Sequence, residues 1–191
     1  MARIIRRVGP CRIAPSPPGF STIVRCIIYQ QLSGKVAFRL LERLREEVGG
    51  EHALLPENVL RLTPKRMREL GLSRQKIRYI RDFAAGCRNG EIDLEALHRL
   101  PDDEVLQRLI SRKGVGPWTA HMYMIFALGR LDVLPIGDLG VRVAVGKAYG
   151  FDETPSPGEV EEIAAPWRPY ATIATWYLWR SLGDGEGLDP V

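Results

Sequence analysis

The chain has 191 residues, enough for one domain or for two small lobes that share a cleft. Apolar residues make up 45% and charged residues 26%, globular values that exclude disordered, collagen-like and coiled-coil classes. The net charge of +4 hides a split: residues 1–100 carry nineteen Lys/Arg against ten Asp/Glu, and residues 101–191 carry eight against thirteen, which suits either a polyanion partner or ordinary solvated helix faces.

Almost every segment reads as helix. Residues 1–13 are the exception and read as extended. Ser33 is a candidate N-cap for a long amphipathic helix to about Val48, with Val36, Leu40, Leu41, Leu44 and Val48 at helical spacing and Gly49-Gly50 as its stop. Pro56 and Pro64 start two short helices. Ser73 caps another, in which Ile77, Ile80, Ala84 and Cys87 share a face. Asp93 opens a short one. Pro101-Asp102-Asp103-Glu104 is a strong start signal, because proline and acids suit a first turn. Thr119 to Leu128, Asp138 to Tyr149, Pro157 to Ala165 and Tyr170 to Leu182 complete the series. Connections are short, so the expectation is one all-α unit, with a cleft between an N-terminal basic lobe and a central-to-C-terminal lobe.

Charges interrupt every long helix-like stretch, so no membrane span is expected, and no secretory-type leader opens the chain. Cys11, Cys26 and Cys87 are odd in number and far apart, which gives neither a disulfide framework nor a C-x-x-C metal site. A reducing compartment, cytoplasm or nucleoid, is the expectation.

Two short stretches carry chemistry. In Lys113-Gly114-Val115-Gly116-Pro117 two glycines permit a tight turn between helices, and such a turn aims backbone N–H groups outward, where a phosphate oxygen fits. A plain helix–helix turn is the alternative. In Gly137-Asp138-Leu139-Gly140 an aspartate begins a helix. It reads as an N-cap on spacing alone, yet a cap needs no flanking glycines, whereas close approach of a ligand backbone does.

Taken together, Gly114-Val115-Gly116-Pro117-Trp118-Thr119-Ala120, Asp138 twenty residues after Trp118, Ile28-Tyr29-Gln30-Gln31-Leu32-Ser33-Gly34-Lys35 and Trp176-Tyr177 resemble the helix-hairpin-helix DNA glycosylases, in particular the 3-methyladenine glycosylase II branch. The resemblance runs from about Phe20 to Leu182. It implies an all-α, two-lobed fold, a single domain over 1–191 with its active site in the interlobe cleft. The helix-hairpin-helix falls at about 102–128, and 184–191 would be a loose tail. Residues 1–13 are too few for the N-terminal sheet domain of some relatives.

By the same resemblance Asp138 is the catalytic aspartate. Trp118, Trp176, Tyr177, Met122 and Tyr29 line the pocket for a flipped base, and Gln31 fills the gap left in the duplex. Lys113, Gly114, Val115, Gly116, Thr119, Ser33 and Lys35 are DNA-binding candidates. The plain reading of Trp167 and Trp179 is core. Bifunctional members carry a lysine nucleophile two residues after the second hairpin glycine. Trp118 stands there, so a monofunctional enzyme without lyase activity is expected. Cys87 is the last cysteine, so the four-cysteine iron–sulfur cluster of several branches cannot form. No cofactor is expected, although the hairpin carbonyls are a candidate seat for a sodium or potassium ion. His121 stands where relatives lead one to expect a carboxylate or amide.

The implied partner is double-stranded DNA with damaged bases, bound by a monomer, and no membrane. The implied reaction is release of alkylated purines such as 3-methyladenine and 7-methylguanine. A glycosylase for another damaged or deaminated base, or a non-catalytic DNA-binding protein, is the alternative. Lys65, Arg66, Arg68, Arg74, Lys76, Arg78 and Arg81 form a basic run that reads either as phosphate contacts or as a solvated face.

Overall fold

Prolines, short polar caps and left-handed glycines divide the chain into helices, as seen in a computed structural model that describes residues 1–14 and 19–183. Eleven α-helices occur among them: α1 (Ala2–Val8), α2 (Phe20–Tyr29), α3 (Gly34–Val48), α4 (Pro56–Arg61), α5 (Pro64–Glu69), α6 (Arg74–Arg88), α7 (Asp102–Ile110), α8 (Pro117–Phe126), α9 (Leu139–Tyr149), α10 (Pro157–Ala164) and α11 (Ala171–Ser181). No strand occurs in the described residues. The expected tail at 184–191 lies outside them.

Local chemistry accounts for most boundaries. Pro56, Pro64, Pro117 and Pro157 each occupy a first turn, where a missing N–H costs nothing. The hydroxyls of Thr63 and Ser73 accept the N–H groups of Arg66 and Lys76, and Ser156 with Glu159 forms a capping box. Gly49 and Gly150 close α3 and α9 in the left-handed conformation. Ser33 precedes α3 but its side chain makes no cap bond.

Three sequence expectations change. Residues 2–8 are helical, since α1 packs on α11 and buries Ile4, a tertiary contact that no local pattern announces. The helix α2, which the sequence series omits, keeps only a narrow unburied face, Ser21, Arg25 and Tyr29 spaced four apart. Val36 is 47% exposed, because Ala37, Leu41 and Leu44 form the inner face of α3.

The lobes also divide differently from the charge halves. One comprises α2 to α8, in which α2 packs on α3, α6 and α8, α4 and α5 pack on α6, and α7 packs on α8. In the other, α11 packs on both α9 and α1, and α10 packs on α9. The first helix therefore belongs with the last, not with the N-terminal lobe. Arg7 Nη2 donates to the Ser181 carbonyl at 3.1 Å, and Tyr177 Oη to that of Gly9 at 2.9 Å. The connection from α8 to α9 is pinned to the second lobe. Thr172 Oγ1 accepts from the Val133 N–H at 2.9 Å, and Asp132 accepts from Arg168 at 2.8 Å and from the Ala171 N–H at 3.2 Å. That connection delivers Asp138 to the seam between the lobes.

Candidate active site

Asp138 is the N-cap of α9, and its carboxylate is only 5% exposed. A buried carboxylate needs donors on its oxygens. Oδ1 accepts from the Val141 N–H at 2.8 Å and from Trp179 Nε1 at 3.0 Å. Oδ2 accepts from Trp118 Nε1 at 2.6 Å. The cap and the buried anion are thus the same group. The flanking glycine at 140 has a local cause: a Cβ there would lie 3.1 Å from Asp138 Oδ1 and 3.3 Å from Trp179 Cδ1. It makes room for the indole, so approach of a ligand backbone is not needed to explain it.

Trp179, read from the sequence as core, is in the core and also reaches Asp138. It is buried, and it stacks on Phe126 with ring centroids 5.8 Å apart. Its N–H nonetheless ends on the carboxylate. The signal was spacing: Trp176 and Trp179 lie three apart on α11 and face similar directions.

The hairpin joins α7 to α8. Gly114 has φ +82, and a Cβ there would overlap the ring of Tyr79 on α6, so glycine is required twice over. Gly116 has φ −91 and carries no such demand. Lys113, Gly116 and Pro117 are exposed at the turn, while Val115 buries its side chain and presents only backbone. Gln30 fastens this turn to the end of α2, its Nε2 donating to the Gly114 carbonyl at 2.9 Å and to Thr119 Oγ1 at 3.0 Å. Thr119, expected on DNA, is 1% exposed and engaged with Gln30, so its hydroxyl faces inward.

Next to Gln30, Gln31 is exposed with φ +57, the only positive φ at a non-glycine among the described residues. Such backbone is uncommon outside glycine and is concentrated where function holds it. Ser33 and Lys35 are exposed on the same turn and the start of α3.

A family model described as "HhH-GPD superfamily base excision DNA repair protein" matches residues 24–169. The chain belongs to that superfamily. Among curated proteins it is 30% identical to the alkylbase DNA glycosidase-like protein mag2 of Schizosaccharomyces pombe, over 93% of this chain and 85% of that one. It is 31% identical to DNA-3-methyladenine glycosylase 1 of the same yeast, over 99% and 85%. Among solved structures it resembles a DNA-3-methyladenine glycosidase from Bacillus halodurans, at 35% identity and TM-score 0.81, over 96% of this chain and 84% of that one. It also resembles the Schizosaccharomyces pombe 3-methyladenine DNA glycosylase Mag1 in complex with abasic DNA, at 29% identity and TM-score 0.86, over 94% and 89%.

Within the HhH-GPD fold Trp118 is the proposed pocket aromatic that touches Asp138, and the others are largely closed off. Trp176 is 7% exposed and meets Tyr177 edge-on at 5.0 Å, with the Arg180 guanidinium 5.9 Å from the Trp176 ring centre. The Tyr177 hydroxyl is spent on Gly9. Met122 is buried, Trp118 is half-buried, and half-buried Tyr29 lies under the Arg25 guanidinium at 5.2 Å. His121 is half-buried one turn after Trp118, and burial holds its imidazole below the usual histidine range.

The basic run divides on inspection. Lys76 Nζ donates to the carbonyls of Ile27, Ile28 and Gln30 at 2.6, 2.8 and 2.7 Å and so caps α2. Burial pushes its ammonium down to about 8, still charged at neutral pH. Arg81 donates to the carbonyls of Leu60 and Leu62 at the end of α4, and Arg68 to that of Leu72. Arg66 pairs with Glu47 at 2.7 Å and with Glu69 at 3.1 Å. These four hold helix ends and neighbours together. Lys65, Arg74 and Arg78 are exposed and border a 750 Å³ groove beside α6.

No cluster of three or more His, Cys, Asp or Glu suited to a metal occurs among the described residues. The hairpin carbonyls of Arg112, Gly114 and Gly116 already accept from Val115, Gln30 and Ala120, so an ion seated there would have to share them. No described helix is long and apolar enough to cross a membrane.

Proposed function

We propose that this chain is a monofunctional DNA glycosylase that hydrolyses the N-glycosidic bond of alkylated, cationic purines in double-stranded DNA. The observation that carries the reading is the Asp138 carboxylate, set at the seam of the two lobes and held by three N–H donors. The names of its relatives support the substrate class.

An N3- or N7-alkylated purine is a positively charged leaving group. When the C1′–N bond breaks, its electron pair goes to the base, which departs neutral, and positive charge appears on the sugar. A fixed carboxylate beside that sugar lowers the barrier electrostatically. Water then adds to C1′ and gives up a proton, leaving an abasic site. Indole and phenol rings suit a cationic base through stacking and cation–π attraction, about 0.5–2 kcal/mol each. In this reading Gln31, exposed on its positive-φ turn, fills the gap in the duplex, and the hairpin N–H groups hold phosphate. With Trp118 at the place of the lyase lysine, no Schiff base forms.

Incubation with methylated duplex DNA, with identification of the released base, tests this reading. Wild type should release 3-methyladenine or 7-methylguanine, Asp138→Asn should not, and borohydride should trap no adduct. No release by wild type would refute the substrate class. Full activity in Asp138→Asn would refute the mechanism, and a trapped adduct the absence of lyase chemistry.

A further inference from the structure

We infer that Trp179 and Trp118 form an indole clamp that fixes Asp138 with one oxygen committed to the protein and the other, Oδ2, aimed at the reacting sugar. The inference rests on the glycosylase reading above and assigns Trp179 as a positioning residue.

A carboxylate offers about four lone-pair sites, two on each oxygen. Oδ1 accepts two donors, the Val141 N–H and Trp179 Nε1. Both donors belong to Asp138's own lobe, on α9 and α11, so Oδ1 is saturated and turned inward. Oδ2 accepts one donor, Trp118 Nε1, from α8 across the seam. It keeps one lone pair and points toward the opposite lobe. Only Oδ2 therefore has capacity left for a sugar cation or its water.

The clamp does not conflict with Trp118 as a pocket wall. An indole donates through its edge, which leaves the ring faces available for stacking. Trp179 has no such second role. It is buried, stacked on Phe126, and fitted against Gly140, where no side chain intervenes. The three donors to Asp138 are neutral N–H groups, which orient the carboxylate without pairing its charge. Its full charge stays available to the developing positive sugar, as electrostatic preorganisation requires.

The clamp is tested by replacing Trp179 with β-(3-benzothienyl)alanine, an isostere that keeps the ring and removes only the N–H, alongside Trp179→Phe. Single-turnover release of base from methylated DNA should fall about 10- to 100-fold in both, the range for losing one hydrogen bond to a charged group. Affinity for abasic-site DNA should stay at the wild-type value, while the benzothienyl variant, with one donor fewer on a buried carboxylate, should melt a few degrees lower. A purely structural tryptophan would shift stability and leave the isostere's rate unchanged. Release at the wild-type rate by the benzothienyl variant would overturn the clamp while leaving the glycosylase reading intact.

A second readout needs no activity. In a ¹H–¹⁵N spectrum without DNA, Asp138→Asn should move the indole N–H resonances of both Trp118 and Trp179. If either stays in place, the clamp is wrong, whether or not wild type releases a methylated base.

Discussion

Replacing Lys76 with methionine removes the cation that closes α2 and keeps most of its aliphatic volume. Three carbonyls at the end of α2, those of Ile27, Ile28 and Gln30, then lose their donor. Leaving a partly buried carbonyl without a partner costs about 1 kcal/mol, so the gross loss is about 3 kcal/mol. Part returns, because a desolvated ammonium no longer has to be held there, and burial visibly disfavours that charge. The net expectation is a destabilisation of about 2 kcal/mol, or about 4–8 °C in melting temperature for a chain of this size. Function should suffer as well, since Gln30 and Gln31 follow directly on α2 and Gln30 anchors the hairpin. Urea unfolding at neutral pH, with Arg74→Met as the comparison, measures the effect. Arg74 is an exposed cation on the same helix, and its loss should change stability by less than about 0.5 kcal/mol. Equal stability of the two variants would refute the capping role and return Lys76 to the set of phosphate contacts.

Gly114→Ala should destabilise by about 1 kcal/mol or more from its positive φ alone, and further from overlap with Tyr79. The loss should appear as weaker binding to duplex DNA together with a lower melting temperature, and wild-type affinity would contradict the hairpin assignment. For His121 the pH sign follows from burial, which keeps the folded imidazole below its usual range. The unfolded chain therefore takes up that proton first, and stability falls as pH drops from about 6.5 toward the lower folded value. His121→Gln should lose less stability than wild type between about pH 7.5 and about pH 5, measured by urea midpoints, and an equal loss would show that burial does not govern this group.

Much of the helix series was legible because its signals are local. The prolines of α4, α5 and α10, the cap at Ser73 and the acidic start of α7 act within one turn. The glycines of the hairpin and the aspartate were legible for the same reason. Helices α1 and α2 were not. The first depends on packing against a helix at the other end of the chain, and the second shows only a narrow face of Ser21, Arg25 and Tyr29 among seven buried residues. The basic run shows the limit of reading charge alone. Lys76, Arg81, Arg68 and Arg66 look like their exposed neighbours in sequence, and only their partners across the fold mark them as structural.

The sequence by itself determined the all-helical class and the place of Asp138 at the head of α9, since each rests on residues within a few positions of one another, and the family through short motifs that recur in order from Ile28 to Tyr177. Tertiary structure alone decided how that carboxylate is held. Its three donors come from α8, α9 and α11, and the partners of Oδ1 and Oδ2 lie on opposite sides of the lobe seam. Composition and spacing cannot say whether a tryptophan presents its face to a ligand or its N–H to an anion. That choice is made when burial sets the Asp138 carboxylate among N–H donors and both indoles lie within reach of it.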